Sequence, residues 1–295
     1  MEETEVIIVN GIDTPTYDAI IRQAIEYAII SIPFTFNRME IDDLQQKIFN
    51  IAKGKVAEGL FLQFCQMNDI PVDSQSCTTP FYQADHRDFV LMNWEWDIKN
   101  NYLYHPGQIL EKYAYVDLPA LVPNRGEWDQ WGKRDRKFQA STKGAGFIFT
   151  FLKNQDRYRK GQTYFSIHLS TDQHALLHKL YNRYKGKHQD KEPFAPLKFW
   201  QRFLESSPHH KLNFSVSERP WLIICGCAIH KHWELFTDSG AGRHLYPSEE
   251  PATLITTINN RTCPIGKLPS FASIFPDLRD GMKGAFFKST TVSEN

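Results

Sequence analysis

The chain has 295 residues, 34 Lys+Arg against 34 Asp+Glu, a 41% hydrophobic share and five cysteines. These values describe a globular protein of one large or two small domains, and no apolar run approaches the roughly 20 residues of a membrane span. The acidic N-terminus is not followed by a signal-peptide pattern, and an odd cysteine count without framework spacing points to the reducing cytoplasm.

Zero net charge conceals an asymmetry. Residues 1–100 hold 7 Lys+Arg and 16 Asp+Glu, a balance of −9, which leaves 27 and 18, a balance of +9, for residues 101–295. Between Arg125 and Arg202 there are 17 basic and 7 acidic residues. An acidic part beside a basic part suits a metal site next to a polyanion-binding surface, although solvated surface charge can give the same imbalance.

In chain order, Thr14-Pro15 predicts a helix start, with Thr14 as N-cap, and the helix runs to about Ser31, before Pro33. Ile20, Ile21, Ala24, Ile25, Ala28 and Ile29 form its apolar stripe. A second helix is expected over about Ile41 to Ala52, ending at Gly54, and a third over about Lys55 to Asn68. Glu58 falls at the edge of the third helix's buried face. Gly59 beside it costs about 1 kcal/mol against Ala, a cost that close packing on a sheet would explain.

Asp88 to Asn100 (Asp-Phe-Val-Leu-Met-Asn-Trp-Glu-Trp-Asp-Ile-Lys-Asn) predicts a hairpin. Phe89-Val90-Leu91 is one strand, Met92-Asn93 the turn. From Trp94 the chain alternates, with Trp94, Trp96 and Ile98 on one face and Glu95, Asp97 and Lys99 on the other. Pairing Leu91 with Trp94 sets Asp88 against Asp97 and His86 against Lys99. Two opposed carboxylates repel, and a divalent cation between them reverses the sign of that interaction. An edge hairpin with outward charges is the structural alternative.

Further on, Tyr113 to Val116 is a candidate strand, and Gly146 to Leu152 and Thr163 to Leu169 are expected to be strands of one sheet. The basic, aromatic stretch from Asn124 to Lys160 suits phosphate contacts and base stacking, and equally a solvated loop with buried aromatics. Ser170 with Gln173 makes a capping box opening a helix to about Lys185, and another helix covers Leu197 to Leu204. Trp221 to Ile229 is a buried strand, Thr253 to Ile258 another, and Asn259 to Lys267 a loop. Cys225, Cys227, His230 and His232 lack zinc-ribbon spacing, which favours buried thiols. No Walker loop or Rossmann fingerprint is present, so no nucleotide cofactor is expected.

The helix bearing Gly54-Lys-Val-Ala-Glu58, the strand opening on Asp88, and Asp97-Ile98-Lys99 resemble the PD-(D/E)XK nuclease superfamily, most closely its type II restriction endonucleases. Asp88 matches the first acid, Asp97 and Lys99 the Asp-x-Lys, and Glu58 the helix glutamate. Arg87 stands where the name-giving proline would be, and Asp85 is a competing first acid. The resemblance implies an α+β (α/β) fold with a restriction-endonuclease-like core, a mixed central sheet flanked by helices. Residues 1–170 would carry the nuclease core and residues 171–295 a β-rich recognition and dimerisation region, separate or part of the same compact domain. It further implies a Mg²⁺-dependent endonuclease, with Mn²⁺ able to substitute, acting on double-stranded DNA as a homodimer. Asp88, Asp97, the carbonyl of Ile98 and Glu58 would hold the metal, and Lys99 would serve the attacking water. Lys133, Arg134, Arg136, Lys137, Arg157, Arg159 and Lys160 would grip DNA. A less specific defence or repair nuclease, or a non-catalytic nucleic-acid-binding protein, are the alternatives.

Overall fold

The computed structural model describes residues 5–35, 42–85, 87–103, 115–124, 145–153, 163–240, 242–245, 253–256 and 258–274. Helix α1 spans Thr14–Ser31, with the expected stripe turned to the core. Its N-cap is Asp13, not Thr14: the Asp13 carboxylate accepts from the Thr16 amide at 3.0 Å, and Thr14 is already helical.

The two helices expected next are one. Helix α2 runs unbroken over Leu44–Met67 from an Asp43 cap. Gly54 therefore lies in mid-helix, where it costs about 1 kcal/mol. Burying Ile48, Ala52, Val56, Leu60 and Phe64 along one continuous face outweighs this, at about 1.5–3 kcal/mol for each large apolar side chain. Gly59 serves a helix contact and not a sheet contact: a Cβ there would lie 2.6 Å from Ile20 Cγ2 of α1.

The hairpin forms with β2 at Phe89–Leu91 and β3 at Trp94–Leu103. Leu91 faces Trp94, Val90 faces Glu95 and Phe89 faces Trp96, in the register expected. Met92 and Asn93 have φ of 52° and 64°, the two left-handed residues of a tight hairpin turn. Strand β5 (Ala145–Lys153) lies parallel to β3, with Asp97 beside Phe147 and Lys99 beside Phe149. Strand β8 (Trp221–Ile229) is antiparallel to β5, and β1 (Ile7–Val9) is antiparallel to β8. The central sheet is thus mixed, in the order β1-β8-β5-β3-β2. Because β8 belongs to the C-terminal stretch, residues before and after 170 share one sheet.

Helices cover one face of this sheet. Trp96, Ile98, Tyr102, Ile148, Leu152, Leu222 and Ile224 pack in a core shared with α1 and α2. On the other face Phe147, Phe149, Phe151 and Ile223 meet β4 (Pro119–Pro123) and β12 (Asn260–Pro264). Those two strands and β9 (Thr237–Ser239) make a three-stranded sheet. An irregularity between the pairs Ile148–Cys227 and Thr150–Ile224 inserts one extra residue in β8. It sends Cys225 and Cys227 into opposite cores, where burial raises both thiols' pKa, so the pair is not a metal clip.

Several other elements differ from expectation. Residues 163–169 do not pair with β5, whose two edges are taken by β3 and β8; β6 (Phe165–Ile167) pairs with β7 (Phe214–Val216). Tyr115 and Val116 are not strand, since β4 begins at Pro119, and Tyr113 and Ala114 lie outside the described residues. The expected loop 259–267 is largely β12 followed by a short 3-10 turn, because β4 offers it an edge. Helix α3 (Thr171–Tyr184) opens on the predicted Ser170–Gln173 capping box, and α4 covers Pro196–Glu205. Strand β11 (Thr253–Thr256) falls within the stretch expected to be extended and pairs with β10 (Gly242–Leu245).

Candidate active site

The hairpin pairing ends at Phe89–Trp96, and the Asp88 side chain shapes the site beyond that rung. The Asp88 amide donates to the Trp96 carbonyl at 2.8 Å. Its carboxylate then takes over from the backbone, with Oδ2 accepting from the Ile98 amide at 2.6 Å. Asp88 is therefore attached to β3 between Asp97 and Lys99 through its side chain. It does not oppose Asp97 as a further paired rung, which spares two carboxylates the closest approach of a regular ladder.

Asp97 and Lys99 project from the same face of β3, as strand alternation requires. The Lys99 ammonium lies 2.6 Å from each carboxylate oxygen of Asp97. It also lies 5.0 Å from the centroid of the Phe147 ring, the neighbour supplied by β5. Only 14% of the Lys99 side chain and 11% of the Asp97 side chain are exposed.

Glu58 comes from α2 and sits half-buried at the edge of the helix's inner face, where the sequence places it. One turn later on α2, Phe61 stacks on Phe89 with centroids 4.9 Å apart, tying this part of the helix to the hairpin. Glu58 Oε2 accepts from Lys55 Nζ at 2.7 Å. Lys55 Nζ also lies 2.7 Å from Asp85 Oδ2, 3.9 Å from Asp88 Oδ1 and 4.9 Å from the Tyr27 ring centroid. Asp85 thus joins the cluster through Lys55 and does not replace Asp88. Lys55 is missing from the residues the sequence singles out, although its i,i+3 spacing from Glu58 on a helix is a visible signal. Arg87, in the proline position of the motif, has its Nε 3.7 Å from Glu95 Oε2.

Burial dominates the electrostatics. It raises the pKa of Glu58, against the pull of Lys55, with Asp85 and Asp97 adding to the rise. It also raises Asp88 well above the usual carboxylate range, reinforced by the charges of Glu58 and Asp97. Burial works against the Lys55 ammonium, but Glu58, Asp85 and Asp88 outweigh it and hold the group charged. Fully ionised, the four carboxylates of Glu58, Asp85, Asp88 and Asp97 and the two ammonium groups of Lys55 and Lys99 leave a formal charge of −2. An oxygen-rich set with that excess suits a hard divalent cation such as Mg²⁺. The Lys55 ammonium, beside three carboxylates, marks a place where positive charge is favoured. Among the described residues no three His, Cys, Asp or Glu side chains are already drawn together as a metal shell. In this arrangement the two lysines bind Glu58, Asp85 and Asp97 directly.

A cleft of about 260 Å³ opens on one side of the cluster, lined by Tyr27, Lys55, Glu58, Asp85, Arg87 and Asp88. Asp97 and Lys99 are not part of its lining. The structure therefore brings all four predicted catalytic residues to one hairpin end but in two groups, bridged by Asp88 at Ile98. His86 lies outside the described residues, as do Lys133, Arg134, Arg136, Lys137, Arg157, Arg159 and Lys160. No helix among the described residues is long and apolar enough to cross a membrane.

The fold and cluster define a mixed α/β protein with a partly buried carboxylate–lysine site. No protein family, curated protein or solved structure gives a significant match to the chain.

Proposed function

We propose that the chain is a divalent-metal-dependent endonuclease that hydrolyses phosphodiester bonds of double-stranded DNA, built on a restriction-endonuclease-like core and sequence-specific. The observation that carries this reading is the convergence at Ile98: Asp88 from one hairpin strand bonds the Ile98 amide, flanked by Asp97 and Lys99. Three features agree with such a core: a helix bearing Glu58, an antiparallel hairpin bearing both acids, and a third strand parallel to the second.

In this reading Asp88 and Asp97 would hold Mg²⁺ with the Ile98 carbonyl, and Glu58 would contribute an oxygen from the helix. Mn²⁺ suits the same oxygen ligands. The cation would supply Lewis acidity to a water nucleophile and neutralise charge on the scissile phosphate. Lys99 orients that water and places a fixed positive charge where negative charge builds up on the phosphate. To do so its ammonium must give up part of its contact with Asp97. Phe147 beside Lys99 keeps the ammonium in a low-dielectric setting, where its charge acts more strongly than in water. The basic segment after residue 124 holds the DNA backbone, and a homodimer with C₂ symmetry cuts both strands of a palindromic site.

The test is incubation of plasmid and phage DNA with the protein, with and without Mg²⁺. Discrete Mg²⁺-dependent fragments are expected. A smear would keep the nuclease and remove the sequence specificity, and intact DNA under all metal conditions overturns the proposal.

A further inference from the structure

Lys55 is more than a helix-surface ion pair. It joins three carboxylates from three segments: Glu58 on α2, Asp85 in the preceding loop, and Asp88 at the mouth of the hairpin. Its side chain is only 22% exposed, and Tyr27 of α1 covers it. Without a cation in their midst, these acids would repel one another across the cleft. An ammonium can neutralise carboxylates but cannot share their oxygens with a metal at the same place.

We propose that Lys55 is a positioning residue of the nuclease site: its ammonium holds Glu58 and Asp85 beside Asp88, and an incoming divalent cation must displace it from Glu58. The inference rests on the nuclease reading for its catalytic part only; the ion competition can be read without DNA. Lys55 has two opposed effects. It weakens metal binding, because it competes for Glu58 and adds positive charge close by. It supports turnover, because it keeps Glu58 and Asp85 in place before the metal arrives. A lysine that merely braced α2 would have the second kind of effect through stability alone.

The experiment uses the full chain, with Mn²⁺ as the probe ion in calorimetry and cleavage in parallel. Lys55→Met keeps the side chain's length and removes its charge. Mn²⁺ is expected to bind it about tenfold more tightly than wild type, as loss of a nearby positive charge requires. Cleavage at saturating Mn²⁺ is expected to fall, and Lys55→Arg to return the affinity toward wild type and recover part of the turnover. Circular dichroism checks folding, and Lys55→Gln replaces Lys55→Met if the latter does not fold. Unchanged or weaker Mn²⁺ binding in a folded, uncharged variant overturns the inference, whatever happens to cleavage. Tighter Mn²⁺ binding together with a wild-type protein that never cuts DNA keeps the competition and overturns the nuclease reading instead.

Discussion

Phe61 lies nearly parallel to Phe89, with an interplanar angle of 16° and centroids 4.9 Å apart. Glu58 sits one turn before the first ring and Asp88 one residue before the second, so the stack sets the distance between two acids on separate elements. Both rings are fully buried. Phe61→Ala is expected to cost about 3–5 kcal/mol of stability. Phe61→Leu keeps most of the volume and is expected to cost under about 1.5 kcal/mol. It should nonetheless slow cleavage, because a flexible aliphatic chain cannot keep the ring stack that ties the Glu58 turn of α2 to the hairpin. Denaturant titration and single-turnover cleavage, run on the same samples, separate the two effects. Wild-type cleavage by Phe61→Leu would show that the stack serves stability alone.

Asp97→Ala is expected to abolish cleavage while DNA binding in Ca²⁺ remains measurable. Its second consequence is structural. Removal of the carboxylate leaves the Lys99 ammonium against Phe147 without the partner that now bonds it through both oxygens. Breaking a mostly buried pair in this way costs about 3–5 kcal/mol. Lys99→Met is expected to lose cleavage while retaining metal, and adding it to Asp97→Ala should restore stability but not activity. Cleavage at the wild-type rate by either single variant would remove that residue from the mechanism.

The hairpin is legible in the sequence because its signals are local: strand alternation and a two-residue turn fix the register from Phe89 to Leu91. The place of Asp88 is not, because the rung after Phe89 is decided by a side chain competing for the Ile98 amide. Gly54 reads as a helix end because it is a local stop signal, whereas the buried face of α2 that overrides it is a tertiary effect. The same holds for β12, which needs the edge of β4, about 140 residues away in the chain, before it becomes a strand. Lys55 carries an i,i+3 signal toward Glu58, but its contact with Asp85 spans 30 residues and no pattern announces it.

Gly59 gives a sharper test of the α1–α2 contact. In an open helix Gly→Ala stabilises by about 1 kcal/mol. Here the new methyl would lie 2.6 Å from Ile20 Cγ2, attached to a β-branched side chain with little rotamer freedom. Gly59→Ala is therefore expected to destabilise by about 1–3 kcal/mol, as overpacking does. In an Ile20→Ala background the methyl has room, and the same substitution should become neutral or stabilising. A double-mutant cycle by chemical denaturation reads the coupling. Additive effects would mean that α1 does not depend on Gly59 for its approach.

The carboxylates also predict how stability depends on pH. Burial, then neighbouring negative charge, raises Asp88 well above its ordinary 3.8, and burial raises Glu58 above 4.5. The folded protein thus binds these protons more tightly than the unfolded chain. The stability this contributes is full below the ordinary values and is lost as pH rises through the raised ones. Lys55 is raised from 10.5, so the stability its charge contributes is present throughout the same range. In EDTA the melting temperature is expected to fall as pH climbs from the ordinary carboxylate range into the range above it. Mg²⁺ competes with those protons, so the stabilisation it gives should grow over the same interval. Asp88→Asn removes one of the two raised carboxylates and should flatten the EDTA profile, with a melting temperature above wild type at its alkaline end. An EDTA profile equally steep in Asp88→Asn and wild type would assign the pH dependence to groups outside this site.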